Sequence, residues 1–95
     1  MDALKDYILS YDEDVFDDFG PDETGVIEGV VTHFYLPNLA DALHQIDKLI
    51  ESENTAALKR AFAANTQIDL SFGLPLLEAA KLHSKYMAIK LNSQN

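Results

Sequence analysis

Apolar side chains recur every three or four residues through much of this chain, and the segment 39–53 shows the pattern most clearly. Spacing of this kind is the signature of an amphipathic helix that buries one face. We expect Asn38 to be the N-cap of this helix, because asparagine is favoured there and Leu36-Pro37 interrupts the chain just before it. The predicted buried stripe is Leu39, Leu43, Ile46, Leu49 and Ile50.

The same spacing predicts a helix near each end of the chain and another over residues 56–64. Asp2 is a good N-cap for the first of these helices. The last follows Gly73 and Pro75, which interrupt the chain, and runs from about residue 76 to residue 91. The side chains that would face inward are Leu4, Tyr7 and Ile8; Leu58 and Phe62; and Leu77, Ala80, Ser84, Met87 and Leu91.

The segment after Gly20-Pro21 has mixed character. Its spacing predicts a helix that ends near Phe34. Gly25, Gly29 and several β-branched side chains are unfavourable in a helix, so a strand over residues 26–35 is the alternative. The apolar residues that the helix would bury are Val26, Ile27, Val30, Val31 and Phe34.

These segments together predict an all-α fold, a single-domain bundle of four to six short helices over residues 1–95. The segment 11–19 either extends the first helix or forms one of its own. Residues 67–72 alternate polar and apolar side chains, which is a weak strand signal or an extended connector. The alternative fold is therefore α+β, with one small ribbon formed by 26–35 and 67–72. Residues 92–95 are expected to fray.

Residues 1–28 contain ten carboxylates and a single base, Lys5, so this segment carries the whole net charge of −9. The rest of the chain holds six acids and six bases. The densest stretch, residues 12–23, has seven carboxylates and no base, and three apolar side chains lie among them: Val15, Phe16 and Phe19. Clustered like charge costs self-repulsion in a compact fold. The segment therefore either keeps the protein soluble or binds something positive.

Composition narrows the classes of function. The chain has 95 residues and no cysteine, which excludes a disulfide framework, a thiolate zinc site and a cysteine nucleophile. No apolar run approaches the roughly 18 residues of a membrane-spanning helix, and the N-terminus is acidic where a signal peptide would be basic. Nucleic acids and anionic membranes bind through Lys and Arg, so the acidic segment would repel both. We expect a cytoplasmic protein that binds neither nucleic acid nor membrane.

The acidic stretch lacks the pattern of a catalytic or metal site. Acid–base catalysis by a carboxylate needs a pKa shifted by burial or a fixed partner, whereas carboxylates this dense are expected to be solvated. Four acids fall at positions one, three, seven and twelve of a calcium-type loop, but Asp17 stands where its sharp turn needs glycine. The three histidines have no spacing typical of catalysis or zinc binding, and we expect them at the surface or partly buried. The sequence predicts no enzyme, cofactor or metal, and a calcium-dependent module is the alternative that this loop spacing leaves open.

Binding to a basic partner is the function that the acidic stretch favours. Aromatic side chains anchor protein interfaces, and carboxylates around them steer and pair with a partner's Lys and Arg. The spacing favours burial of Phe19 and of one of the two tyrosines near the acidic stretch, Tyr7 and Tyr11. Phe16 and the other tyrosine are expected to be more exposed. The predicted contact residues are Tyr11, Asp12, Glu13, Asp14, Phe16, Asp17, Asp18, Asp22 and Glu23.

Several strings of the chain, in this order, resemble a known family. An aromatic–acidic string comes first, and a hydrophobic helix follows it. The next helix has leucine, isoleucine, aspartate and leucine at set spacing, and a further helix comes last. This order is similar to that of small immunity proteins from bacterial contact-dependent growth inhibition systems, over about residues 7–70. The strings are Tyr11-Asp12-Glu13-Asp14, Phe16-Asp17-Asp18-Phe19-Gly20, residues 26–34, residues 39–50 with Leu39, Leu43, Ile46, Asp47, Leu49 and Ile50, and Thr55-Ala56-Ala57-Leu58.

The resemblance implies a cytoplasmic protein that binds one cognate toxin domain and blocks its active site. Such toxins are often nucleases with basic clefts, and an acidic face would occupy the surface that holds phosphates. Gly25, Gly29 and the Gly73-Leu74-Pro75 entry to the last helix depart from the family's pattern. The predicted function is that of an immunity protein for a basic nuclease toxin. An acidic nucleic-acid mimic or adaptor that binds a nucleic-acid-binding protein is the alternative.

Overall fold

Helices are the regular structure of residues 2–93, which the computed structural model describes. The prediction of an all-α bundle of four to six helices is confirmed, and the described part contains six. No strand occurs in residues 2–93, so the α+β alternative is wrong: residues 26–33 lie in a helix and 67–72 in an irregular connector. Gln94 and Asn95, from the tail predicted to fray, lie outside the described residues. The helices are α1 (Ala3–Leu9), α2 (Val15–Phe19), α3 (Glu23–His33), α4 (Leu36–Glu51), α5 (Thr55–Ala63) and α6 (Leu76–Asn92).

Local side-chain chemistry sets where the helices begin. Asp2 caps α1 as predicted, and Asn54 does the same for α5, each accepting a backbone N–H hydrogen bond at 3.1 Å. The predicted N-cap of α4 is wrong, because the helix already begins at Leu36 and Asn38 lies inside it. Pro37 falls in the first turn, where its missing N–H removes no helical hydrogen bond. Pro37, which interrupts the apolar pattern of the sequence, therefore lies in the first turn of α4.

The core lies where α1, α4 and α6 meet. α4 packs along α6, and α1 lies against α4. The hydroxyl of Ser84 donates to the Asp47 carboxylate at 2.5 Å and joins α6 to α4. On α6, Ala80 and Met87 are buried as predicted. His83 is also fully buried, so the expectation that every histidine lies at the surface or is partly buried is wrong.

α2 packs directly across α3, and two glycines of α3 allow the close approach. A Cβ atom on Gly29 would lie 2.2 Å from the ring of Phe19, and one on Gly25 would lie 2.7 Å from the Phe19 carbonyl oxygen. Glycine in a helix interior costs about 1 kcal/mol relative to alanine. Gly25 and Gly29 leave the choice between helix and strand open in the sequence. In the structure the same glycines let α2 pack closely on α3.

Candidate functional site

Eight of the nine predicted contact residues are exposed along one stretch of chain, which we call the acidic face. The stretch runs from the turn before α2, through α2, to the first turn of α3. Val15 is the buried residue of α2, and the other side chains around it on this helix are exposed or half-buried. The acidic face comprises Asp12, Glu13, Asp14, Phe16, Asp17, Asp18, Asp22 and Glu23.

Tyr11 is not part of this face, which corrects the sequence prediction. The side chain is only 1 % exposed, and Tyr7 is completely buried. The expectation that one of the two tyrosines lies outside is therefore wrong. Both hydroxyls are hydrogen-bonded to each other at 2.5 Å, and the Tyr11 ring packs edge-on against His83. Because the hydroxyls have partners in the core, neither ring needs to reach solvent.

Hydrogen bonds from the connector between α5 and α6 hold residues 8–13, which lead into the acidic face. The Asn65 side-chain amide donates to the carbonyls of Ile8 at 2.9 Å and Tyr11 at 2.8 Å. Its oxygen accepts hydrogen bonds from two backbone N–H groups further along the connector. The backbone N–H of Glu13 donates to the side-chain oxygen of Gln67 at 3.1 Å. These hydrogen bonds order the backbone that leads into the acidic face. A surface that is already ordered loses less conformational entropy on binding.

Phe16 has the properties of an interface anchor. Its side chain is 37 % exposed, although the residue is aromatic. The ring meets Phe72 edge-on, with 6.4 Å between the ring centroids. Contact with Phe72 restricts the ring, and the exposed part of the ring adds apolar area to a stretch of chain rich in carboxylates. Aromatic anchors of this kind carry much of the energy of protein interfaces.

The carboxylates of the acidic face are not neutralised within the described part of the chain. Among residues 2–93, no Lys, Arg or His side chain forms an ion pair with them. Asp12 accepts a hydrogen bond from the backbone N–H of Asp14 at 2.9 Å, which orders the turn before α2 without adding positive charge. Seven exposed carboxylates within one stretch of chain give it a negative potential, which favours the approach of positively charged groups.

Beside the chain that leads into the acidic face, His83 forms a hydrogen-bond chain with both buried tyrosines. Its Nε2 lies 2.8 Å from the carbonyl oxygen of Leu70, which can only accept, so Nε2 carries the ring proton. In the neutral ring that burial favours, Nδ1 accepts, and the hydroxyl of Tyr7 donates to it at 2.8 Å. The Tyr7 oxygen then accepts from the hydroxyl of Tyr11, whose oxygen lies 3.5 Å from the same Nδ1.

This network belongs to the core. Burial lowers the pKa of His83 to about 4 and raises the pKa of Tyr7 and Tyr11 well above that of a free tyrosine, so all three are neutral at pH 7. Among the described residues, no buried side-chain polar atom lacks a hydrogen-bond partner. The sequence does contain a signal for His83, because Ala79 and Met87 lie four residues before and after it on the buried face of α6.

No group of three or more His, Asp or Glu side chains within residues 2–93 is placed to hold a metal ion. In the same part of the chain, no helix has the length and apolar character needed to cross a membrane. No known protein family, curated protein or solved structure matches the chain. The geometry of the acidic face is therefore the basis for assigning a function.

Proposed function

We propose that the protein is a cytoplasmic immunity protein, which binds a basic toxin domain through the acidic face and blocks its active site. The observation that carries this proposal is one stretch of chain that holds seven exposed carboxylates and the exposed ring of Phe16, which Phe72 contacts edge-on. A surface that only kept the protein soluble would need the charges but not the aromatic ring. The resemblance to immunity proteins of contact-dependent growth inhibition systems supports the same function.

The mechanism is occlusion, without a chemical step by this protein. A nuclease holds its substrate's phosphates with Lys and Arg side chains, and an acidic protein surface can occupy the same groups. The carboxylates speed the encounter, because opposite charges steer association. Phe16 then excludes water from part of the interface. The toxin's cleft is filled by protein, and nucleic acid cannot enter.

Affinity capture followed by an inhibition assay tests this function. The tagged protein is incubated with lysate of the source organism at about 0.05 M salt and washed at about 0.5 M, where the Debye length is well under 10 Å. We expect one partner with a basic domain, whose retention falls with salt. The isolated domain should have nuclease activity, and the protein should abolish it at equimolar concentration.

The other outcomes of this experiment separate the competing functions. Capture of a nucleic-acid-binding protein that is not a toxin would contradict the immunity function and support an acidic mimic or adaptor. Capture of many unrelated basic proteins, without inhibition of any, would mean that the acidic face is a general solvated surface. A toxin-bearing gene directly upstream would agree with the immunity function.

A further inference from the structure

A cleft opens between α2 and α3, partly lined by Asp12 and Asp18 of the acidic face. Its volume is about 270 Å³. Small-molecule sites usually enclose roughly 300–1,000 Å³, so this cleft is sized for a single side chain. Its apolar lining comes from Val15, Val30 and Phe34, which belong to the core or pack against it. An aliphatic chain can therefore lie in the cleft without losing contact with apolar surface.

Two carboxylates and a pair of stacked rings complete the lining. Asp12 and Asp18 both lie along the cleft, and both are exposed. The rings of Phe19 and His33 stack with 5.5 Å between centroids and 28° between their planes. The Nδ1–H group of His33 donates to the carbonyl of Gly29 at 2.8 Å, which fixes the ring. The cleft thus combines an apolar lining, negative charge and two stacked aromatic rings.

We propose that this cleft receives one arginine side chain of the basic partner. The inference rests on the proposed function, since the arginine belongs to the protein that the acidic face binds. An arginine stem matches the apolar lining, and its planar guanidinium can pair with carboxylate and stack on an aromatic ring. Lysine offers a stem and a charge but no planar group. The chemistry of the lining therefore selects arginine over lysine.

A titration followed by NMR tests the cleft without the partner. The isotope-labelled protein is titrated with N-acetyl-arginine-N-methylamide, and the lysine and citrulline derivatives serve as controls; citrulline has nearly the shape of arginine but no charge. We expect saturable shifts of the backbone amides of Val15, Phe19 and Val30 with the arginine derivative. The lysine derivative should bind more weakly, and the citrulline derivative should cause no saturable shifts.

Two variants with the same change in charge locate the site. Asp17 and Asp18 are adjacent exposed residues of α2, but only Asp18 lines the cleft. Asp18→Asn should weaken the arginine derivative at least about threefold, whereas Asp17→Asn should change its affinity by less than about 1.5-fold, given the usual strength of exposed charge pairs. Equal weakening by the two variants, equal shifts with citrulline, or shifts spread evenly over the acidic face would overturn the proposal.

The same two variants separate this inference from the proposed function. If both reduce the affinity of the captured partner equally, the acidic face is the interface and the arginine cleft is wrong. If neither reduces it, the arginine cleft is wrong, and replacing Asp14, Asp17 and Asp18 together then decides whether the acidic face is the interface. Thermal midpoints of the variants that are no lower than that of the wild type show that loss of folding is not the cause.

Discussion

His83 can lie in the core because distant parts of the chain satisfy both of its ring nitrogens. Leu70 accepts from one and Tyr7 donates to the other, and Tyr7 is 76 residues away in sequence. An unsatisfied polar group in the core would cost about 1–3 kcal/mol. Spacing within one helix can place a histidine on a buried face, but it cannot show which partner meets it there. For this reason the sequence cannot predict the hydrogen-bond network that holds His83.

Stability should decrease as the pH falls from about 6.5 towards 4. Histidine in the unfolded chain titrates near 6.5, whereas burial lowers the pKa of His83 to about 4 in the folded protein. The unfolded state therefore takes up the proton first. The contribution of His83 is complete above pH 6.5 and is lost as the pH approaches 4, by about 3 kcal/mol in total. Urea unfolding at a series of pH values measures this loss.

His83→Gln is the matched control for the pH dependence. A glutamine can still donate to Leu70 and accept from Tyr7, but it does not titrate. Between pH 4 and 7 the wild type should lose more stability than this variant, while His44→Gln, at an exposed position, should behave as the wild type does. Identical pH profiles for the wild type and His83→Gln would show that His83 is not held neutral in the core.

Asn65→Ala should be strongly destabilising although the residue lies in a connector. The substitution leaves the carbonyls of Ile8 and Tyr11 without their buried donor, so we expect a loss of about 2–4 kcal/mol in the free energy of unfolding. Asn54→Ala removes only an exposed N-cap and should cost about 1 kcal/mol. Equal losses in chemical denaturation would contradict the role assigned to Asn65.

At the scale of the helices, α4, α5 and α6 could be predicted because each carries an apolar stripe of sufficient length. α2 and α3 could not be assigned with the same clarity. Gly25 and Gly29 lower the helical tendency of α3, and the reason for them lies in another element, the chain at Phe19 that packs against them. Local propensity describes one element at a time, whereas these glycines are explained by a contact between two.

The contact between α2 and α3 predicts that the effect of Gly29→Ala depends on Phe19. In the wild type the new methyl group would meet the Phe19 ring, so the substitution should destabilise the protein by about 1–3 kcal/mol. In a Phe19→Ala background the clash is absent. The same substitution should then stabilise the protein by up to about 1 kcal/mol, because alanine is the better helix former.

Chemical denaturation of the four proteins in this cycle gives the coupling between the two sites. Additive effects would mean that α2 does not pack on Gly29. Non-additive free energies of unfolding, together with an unchanged helical content by circular dichroism, would agree with a local clash in a preserved fold.

At the scale of the whole molecule, the charge of the candidate site could be predicted, because acidic residues are read directly from the chain. The sequence predicts only in part which aromatic side chains are exposed to solvent. The predicted exposure of Phe16 is confirmed, but four-residue spacing does not distinguish Tyr7 from Tyr11 as the buried tyrosine, and in the structure both are buried. The cleft between α2 and α3 also has no sequence signal, since its lining comes from two separate helices and from residues that flank them in the chain.

The concentration of charge predicts that salt stabilises the folded protein. Residues 1–28 carry the whole net charge of −9, and repulsion among them opposes the compact state. Raising the salt from about 0.02 M to about 0.5 M shortens the Debye length and should raise the thermal midpoint by a few degrees. Asp14→Asn combined with Asp17→Asn should raise the midpoint at low salt and reduce its salt dependence. A midpoint that does not respond to salt would contradict this repulsion.

The most direct test of the account compares partner affinity for two variants of equal net charge. One replaces Asp14, Asp17 and Asp18 of the acidic face with asparagine. The other replaces three exposed acids elsewhere, Asp41, Glu51 and Glu78, with their amides. Calorimetric titration of the captured partner at about 0.05 M salt should show at least about a tenfold loss for the first variant and less than about twofold for the second. Equal affinities of the two variants would contradict the claim that the acidic face is the binding surface.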